Sequence, residues 1–372
     1  MKNKILNYDF LIVGSGLIGS LAALALNKKK YKVLAVEKNN SFRKDNRTLA
    51  VNARSRDFIN WLKIWESLPS PAEPINEIFI SDYINKNPLK FDSFEEPMGN
   101  VIFNNDLLTL AHKQLNQLKL LKKNIDIQFD QLLPKQEIII SNKKYIFNKI
   151  IFCVGKKENF NQISRKDFTN NHNSYVGFFK HQKNHLQKAY EIFTKDGPLA
   201  VLPAPRKSKK FSTFIYSTSK KISETNIKKL IQIHFQSSHG KIVFDGKISN
   251  FKVQPHINKP KIKDIFLLGD TLRSIHPVAG QGWNLGVKDI QTLCELLDTY
   301  SINDFSLEKI FYTRRYIEST IYLGFTSILN FLYENNNPKN NQVIKSGFKL
   351  LDKFDFLRKG FINQAMGRTT LI

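Results

Sequence analysis

Three glycines open the chemistry of this chain. Gly14, Gly16 and Gly19 stand at G-x-G-x-x-G spacing directly after the apolar run Phe10-Leu11-Ile12-Val13. Each has a mechanical use. The first makes a tight turn, the second lets a pyrophosphate approach the backbone, and the third lets a helix pack on a strand. The helix start behind them offers unpaired N–H groups and partial positive charge to phosphates. Glu37, 18 residues past Gly19, ends the next apolar strand and can accept hydrogen bonds from a ribose. A carboxylate there favours an unphosphorylated 2′-hydroxyl, so the dinucleotide held is FAD or NAD rather than NADP.

A second constellation lies 250 residues on. The apolar run Ile265 to Leu268 stops at Gly269-Asp270, where an acid at a strand tip can bind a polyol or a ribose. Ser274-Ile275-His276-Pro277-Val278-Ala279-Gly280-Gln281-Gly282-Trp283-Asn284-Leu285-Gly286 follows, leading into a helix through Asp289. Gly280 and Gly282 remove side chains where something flat must touch backbone. The helix start behind them supplies N–H donors to a developing anion. Arg47, before a helix, is either a surface or capping residue or, one loop after the ribose-binding strand, a further cofactor contact. No nucleophilic triad and no Cys/His cluster at metal-ligand spacing occurs. Cys153 and Cys294 read as reduced core thiols of a cytoplasmic protein.

The elements that must position these residues follow from pattern. Leu17 to Leu26 is an Ala-rich helix and Lys32 to Val36 a strand, giving strand–helix–strand around the glycines. Phe10 to Leu26, with Lys2 and Lys4 before it, resembles a signal peptide. The glycines and its short length argue against that and against a spanning helix. A helix is expected from Ala53 to about Leu62, a strand over Glu77 to Tyr83, and a helix from about Asn104 to Leu118. Ile125 to Phe129, Glu137 to Ile140 and Tyr145 to Val154 read as strands. Lys156 to Asn173 shows no clear order. Ser174 to Lys180, Leu199 to Pro203 and Phe211 to Ser217 suit an antiparallel sheet, with one long helix over Ile222 to Ser237. Beyond Thr299 the chain reads helical: Leu307 to Tyr333, Asn341 to Phe356, Arg358 to Met366.

The 372 residues carry a formal charge of +25 and are 41% hydrophobic. The charge comes from 46 Lys and only 11 Arg, spread along the chain with no basic arm and no nucleic-acid module. Nucleic acid is therefore not an expected partner. The charge is then either plain surface composition or a help in docking onto anionic lipid, and the greasy stretch Phe325, Ile328, Leu329, Phe331 and Leu332 either packs on the fold or another subunit or helps a lipid substrate enter from a membrane.

With these motifs in this order, the whole chain resembles the FAD-dependent aromatic monooxygenases, and among them the ubiquinone-biosynthesis hydroxylases. Asp45-Asn46-Arg47-Thr48-Leu49-Ala50-Val51 resembles that family's Arg-x-x-Ala loop. Ala189-Tyr190-Glu191-Ile192-Phe193-Thr194-Lys195-Asp196-Gly197-Pro198-Leu199-Ala200-Val201-Leu202-Pro203 resembles its most specific segment, and Ala365-Met366-Gly367 its C-terminal pattern. The resemblance implies an α/β, p-hydroxybenzoate-hydroxylase-like fold: a discontinuous Rossmann-type FAD-binding domain (1–65, 98–156 and 255–300), an inserted β-sheet substrate domain (66–97 and 157–254) and C-terminal helices (301–372). It also implies the reaction. NAD(P)H reduces the flavin, O2 adds at C4a, and the hydroperoxide hydroxylates the aromatic ring of a polyprenyl phenol.

By the same resemblance Gly14, Gly16, Gly19 and Glu37 hold the ADP part of FAD, Arg47 supports the cofactor, and Gly269-Asp270 meets the ribityl or phosphate side. Gly280, Gln281, Gly282 and Asn284 shape the isoalloxazine pocket, and Pro277 the substrate face. NADPH or NADH and O2 are the co-substrates. A homo-oligomer or a biosynthetic complex, peripheral on the inner face of the membrane, is the expected setting. Two departures stand out. Thr271-Leu272-Arg273 replaces the common Ala-Ala-His after Gly-Asp, and Gly155-Lys156-Lys157 replaces an Ala-Asp-Gly near the flavin. The second makes Lys156 or Lys157 a candidate phosphate contact. It also raises an alternative: an FAD-binding accessory subunit with impaired turnover.

Overall fold

The computed structural model describes residues 5–41, 47–85, 87–92, 96–127, 136–140, 142–155, 163–168, 172–275, 281–334, 337–354, 359–360, 362–364 and 366–368. In chain order these form β1 (Ile5–Val13), α1 (Leu17–Lys28), β2 (Val33–Glu37), β3 (Thr48–Asn52), α2 (Ala53–Trp61), β4 (Glu73–Ile75), β5 (Glu77–Asp82), β6 (Leu89–Asp92), β7 (Gly99–Phe103), α3 (Asn104–Gln117), β8 (Leu121–Lys123), β9 (Glu137–Ile140) and β10 (Lys143–Phe152). There follow β11 (Ile163–Asp167), β12 (His172–His181), β13 (Lys188–Thr194), β14 (Gly197–Pro203), β15 (Phe211–Thr218), α4 (Glu224–His239), β16 (Ile242–Val253), β17 (His256–Pro260), β18 (Ile265–Leu267), β19 (Arg273–Ser274), α5 (Gln281–Thr299), α6 (Ser306–Glu334) and α7 (Pro338–Lys353).

Continuous apolar runs make strands that can be covered on both faces. β1, β2, β10 and β18 carry them, and they pair in parallel in the order β18-β10-β1-β2-β8. Val13 stands opposite both Val36 and Phe152, and Phe152 opposite Leu267, so the strand ends that precede the two nucleotide-type motifs line up at one edge. α1, α3 and α5 pack on this sheet with Leu21, Leu107 and Leu293 in one core. β9 adds to β10 as a hairpin.

The second layer is a seven-stranded sheet, β16-β12-β15-β14-β13-β5-β6. Its two faces are set by strand alternation. Leu199, Val201, Phe214 and Tyr216 point to α4, where Ile227, Ile231 and Phe235 cover them. Ala200, Leu202 and Ile215 point the other way, into a cavity. All neighbours in this sheet are antiparallel except β13 with β5, which run parallel. Small sheets β3-β7-β4 and β11-β17-β19 join the layers.

Two expectations fail. No strand lies over Ile125–Ile127; the edge strand is β8, four residues earlier, pairing Leu121 with Ala35. Nor is 156–173 wholly irregular, because Ile163–Asp167 pairs along β17. Its polar run, Ser164-Arg165-Lys166-Asp167, is that of an edge strand. Lys156, Lys157, Pro277 and Gly280 lie outside the described residues, as do Asp45, Asn46 and Ala365.

Candidate active site

The three sequence motifs meet at one point. Gly14 has φ +92°, and a Cβ there would sit 2.6 Å from the Cys153 carbonyl oxygen. A Cβ on Gly19 would lie 2.0 Å from the Gly14 carbonyl oxygen. Both positions are closed to a side chain, so α1 can start directly against the turn. Gly16, the N-cap of α1, is the opposite case: a Cβ there meets nothing within 4 Å. Space is open at the helix N-terminus, where a phosphate would approach. The residues present fit a dinucleotide.

The second motif packs against the first. A Cβ on Gly286 would meet Ile18 Cδ1 at 2.8 Å, and Gly269, with φ +61°, faces the same Ile18 side chain. Thus the Gly-Asp strand end, the N-terminal turns of α1 and the first turns of α5 converge. Gly155 joins them through its N–H, which donates to Thr271 Oγ1 at 2.9 Å.

The acids divide the work. Glu37 is buried, and its Oε2 accepts from the Ser15 N–H at 2.9 Å while Oε1 accepts from the Asn39 N–H at 3.1 Å. It therefore ties the glycine loop to the end of β2, and a ribose hydroxyl would share these oxygens. Asp270 is exposed at the strand tip, and its backbone carbonyl meets His256 Nε2 at 3.1 Å. Arg47 lies over the Phe251 ring at 5.3 Å, between the small sheet of β3 and the edge strand β16. Asn284 Nδ2 donates to the Ala50 carbonyl at 2.9 Å, and its Oδ1 accepts from the Asn52 N–H at 3.1 Å. Gln281 and Gly282 form the first turn of α5 beside it.

Two supports carried no sequence signal. His112 of α3 reaches the Ser15 carbonyl through Nε2 at 2.7 Å, and burial lowers its pKa below the ordinary histidine value. Beneath the Gly269 turn lies a buried ionic knot. Asp289 accepts from the Gly269 N–H at 2.9 Å, from Arg273 at 2.9 and 3.1 Å, and from Arg315 Nε at 2.6 Å. Arg315 also pairs with Glu318, which accepts from Lys288 at 2.5 Å. Arg273, the residue that departs from the family pattern, thus fixes the Gly269 turn to α5 through a shared carboxylate. Burial lowers its pKa against the pull of Asp289.

The cavity under the seven-stranded sheet encloses about 390 Å³. One end is made by Ala50, Val51, Asn52, Gln281 and Asn284, the residues around the start of α5. The other is made by Ile321, Phe325, Leu329 and Tyr333 of α6 with Phe348 and Leu351 of α7. Phe193 stacks on Tyr333 at 4.4 Å between ring centres and closes part of that floor. Apolar side chains dominate the wall. Among the described residues no group of three or more His, Cys, Asp or Glu could hold a metal.

Comparison with known proteins agrees with this geometry. Residues 174–300 match the family described as FAD binding domain, a span that runs from β12 to the end of α5. The ubiquinone hydroxylase UbiL of Rhodospirillum rubrum is 22% identical, covering 98% of this chain and 90% of that protein. The mitochondrial ubiquinone biosynthesis monooxygenase COQ6 of Schizosaccharomyces pombe is 24% identical over 97% of this chain and 92% of its own length. In fold, the chain is similar to the p-nitrophenol 4-monooxygenase PnpA of Pseudomonas putida DLL-E4, with a TM-score of 0.75 at 14% identity, covering 99% and 100% of the two chains. Over nearly its whole length the chain is similar to ubiquinone-biosynthesis monooxygenases, and residues 174–300 match the FAD binding domain. Its cofactor is FAD, and NAD(P)H, O2 and an aromatic substrate are the reactants of that class.

Proposed function

We propose that this chain hydroxylates the aromatic ring of a polyprenyl phenol in ubiquinone biosynthesis. The observation that carries the reading is the apolar cavity, which begins at Gln281 and Asn284 and ends among the greasy residues of α6 and α7. The activities named for the two relatives support it. When bound, FAD supplies the oxygen-activating chemistry. The protein's own residues bind, orient and keep water out. Gly14, Gly16 and Gly19 cradle the diphosphate, Glu37 and Asp270 meet its hydroxyls, and Arg47 stands beside it. Gln281, Gly282 and Asn284 set the isoalloxazine edge of the cavity, with Pro277 and Gly280 proposed for the same wall. Residues 1–65, 98–156 and 255–300 would be the FAD-binding unit, 66–97 and 157–254 the substrate unit, and 301–372 the closing helices.

The lipid tail also implies a surface from which it is loaded. Ile317, Ile321, Phe325, Ile328 and Phe331 form one exposed stripe on α6, with Ile328 and Phe331 each 60% exposed. Lys345, Lys349 and Lys353 lie on the neighbouring α7. A peripheral contact with an anionic membrane face suits this pairing of greasy stripe and lysines. Among the described residues no helix is long and apolar enough to cross a membrane.

The test is NAD(P)H oxidation by the FAD-loaded protein with phenols of increasing prenyl length, the product identified by mass. Each buried methylene contributes about 0.8 kcal/mol, so KM should fall at least about tenfold with the first isoprene unit. Equal turnover of tailed and untailed phenols would sink the reading.

A further inference from the structure

We propose that Glu191 receives the phenolic hydroxyl of the substrate, an assignment that rests on the polyprenyl phenol reading above. On β13, Tyr190 and Ile192 belong to the α4 face, Tyr190 meeting Phe235 at 5.3 Å between ring centres. Alternation then turns Glu191 toward the cavity with Ala189 and Phe193. Its cross-strand neighbours are Ala200 on β14 and Ile80 on β5, both apolar. The residue is only 7% exposed. Among the described lining residues it is the one that carries a charge.

Several other polar groups of the wall are committed to holding the protein. The Tyr333 hydroxyl donates to Asp82 at 2.8 Å, and the Tyr322 hydroxyl accepts from Gln364 at 2.7 Å. Thr326 Oγ1 donates to the Tyr322 carbonyl at 2.9 Å, and Asn284 spans Ala50 and Asn52. A carboxylate has lone pairs for several donors, so it can take a substrate hydroxyl alongside whatever the protein offers it. An acid placed in an otherwise greasy chamber is costly, and a function that needs it there explains its presence. A hydrogen bond to a charged acceptor in such surroundings is stronger than a neutral one. As the phenolic proton is drawn toward the carboxylate, electron density rises at the ring carbons ortho and para to the oxygen. Those are the carbons an electrophilic oxygen attacks. Glu191 would thus both orient the ring and activate it.

The test uses FAD-loaded protein and two probes, 2-geranylphenol and its methyl ether 2-geranylanisole. They share tail and ring, but only the phenol can donate. Binding is read from the change in flavin absorbance and by equilibrium dialysis. Wild type should prefer the phenol by about tenfold or more, the scale of a hydrogen bond to a charged group. Glu191→Gln should bring that preference below about threefold while FAD affinity stays at the wild-type value. Glu191→Asp, which keeps the charge on a shorter stem, should restore part of it. In single turnover, Glu191→Gln should hydroxylate the bound phenol more slowly than wild type, and Glu191→Asp should recover part of that rate. If Glu191→Gln keeps both the preference and the wild-type single-turnover rate, or if wild type binds phenol and ether alike, the assignment is overturned and the cavity reading stands. If wild type takes neither probe, the polyprenyl phenol reading fails and Glu191's role falls with it.

Discussion

Two glycines three residues apart should respond differently to one methyl group. Gly19→Ala would drive a Cβ to 2.0 Å from the Gly14 carbonyl, so both the fold and FAD binding should suffer. Gly16→Ala has open space around it, so thermal unfolding of the apoprotein should stay within a degree or two of wild type. FAD affinity should nonetheless fall by roughly tenfold or more, because the methyl occupies the approach of the diphosphate. Equal losses in both variants, measured by melting and by flavin fluorescence, would refute this division of roles. The ionic knot offers a second case. Asp289→Asn leaves Arg273 and Arg315 buried against each other without their shared carboxylate, a class of change that costs about 3–5 kcal/mol. Chemical denaturation reads it directly, and an unchanged midpoint would count against the knot as described. The glycines were legible in the sequence because their spacing is local and their function is steric. Arg273, Asp289 and Arg315 were not, since a trio formed between a strand and two helices leaves no period in the chain.

At the scale of elements, three histidines gather where α4 ends against the seven-stranded sheet. His181 and His239 ring centres are 4.7 Å apart, and His181 and His185 are 6.2 Å apart. Burial pulls His185 and His239 down to about 4, each helped by the neighbouring His181. Both are held neutral in the folded chain, while the unfolded chain takes up protons near the ordinary value of about 6.5. Their contribution to stability is therefore full above that value. It declines as pH falls through the window between it and about 4, and levels off below. His239→Gln should flatten the slope of stability against pH in that window, as followed by urea unfolding. An unaltered slope would show that other groups govern acid sensitivity. Strands with continuous apolar runs, such as β1 and β10, announced themselves in the sequence. β8 and β11 did not, because short lysine-bearing edge strands owe their state to a neighbour rather than to their own composition.

For the whole molecule, the net charge of +25 and the exposed stripe on α6 predict sedimentation with vesicles rich in phosphatidylglycerol but not with neutral phosphatidylcholine. The double change Ile328→Asp with Phe331→Asp should abolish most of that binding without altering FAD content; retained binding would place the membrane contact elsewhere. The strand order has its own bearing on how the molecule comes into being. β1 leaves the ribosome well before one of its sheet partners, β10, and β10 in turn needs β18. The glycine turn leans on the carbonyl of Cys153, about 140 residues downstream. A nascent chain therefore carries its nucleotide loop unfinished for about 140 residues of synthesis, and its parallel sheet stays open until residue 267 is available. Fragments that stop short of β10 should bind no flavin however faithful their fingerprint, and in a crowded cell such half-made chains are natural clients for chaperones.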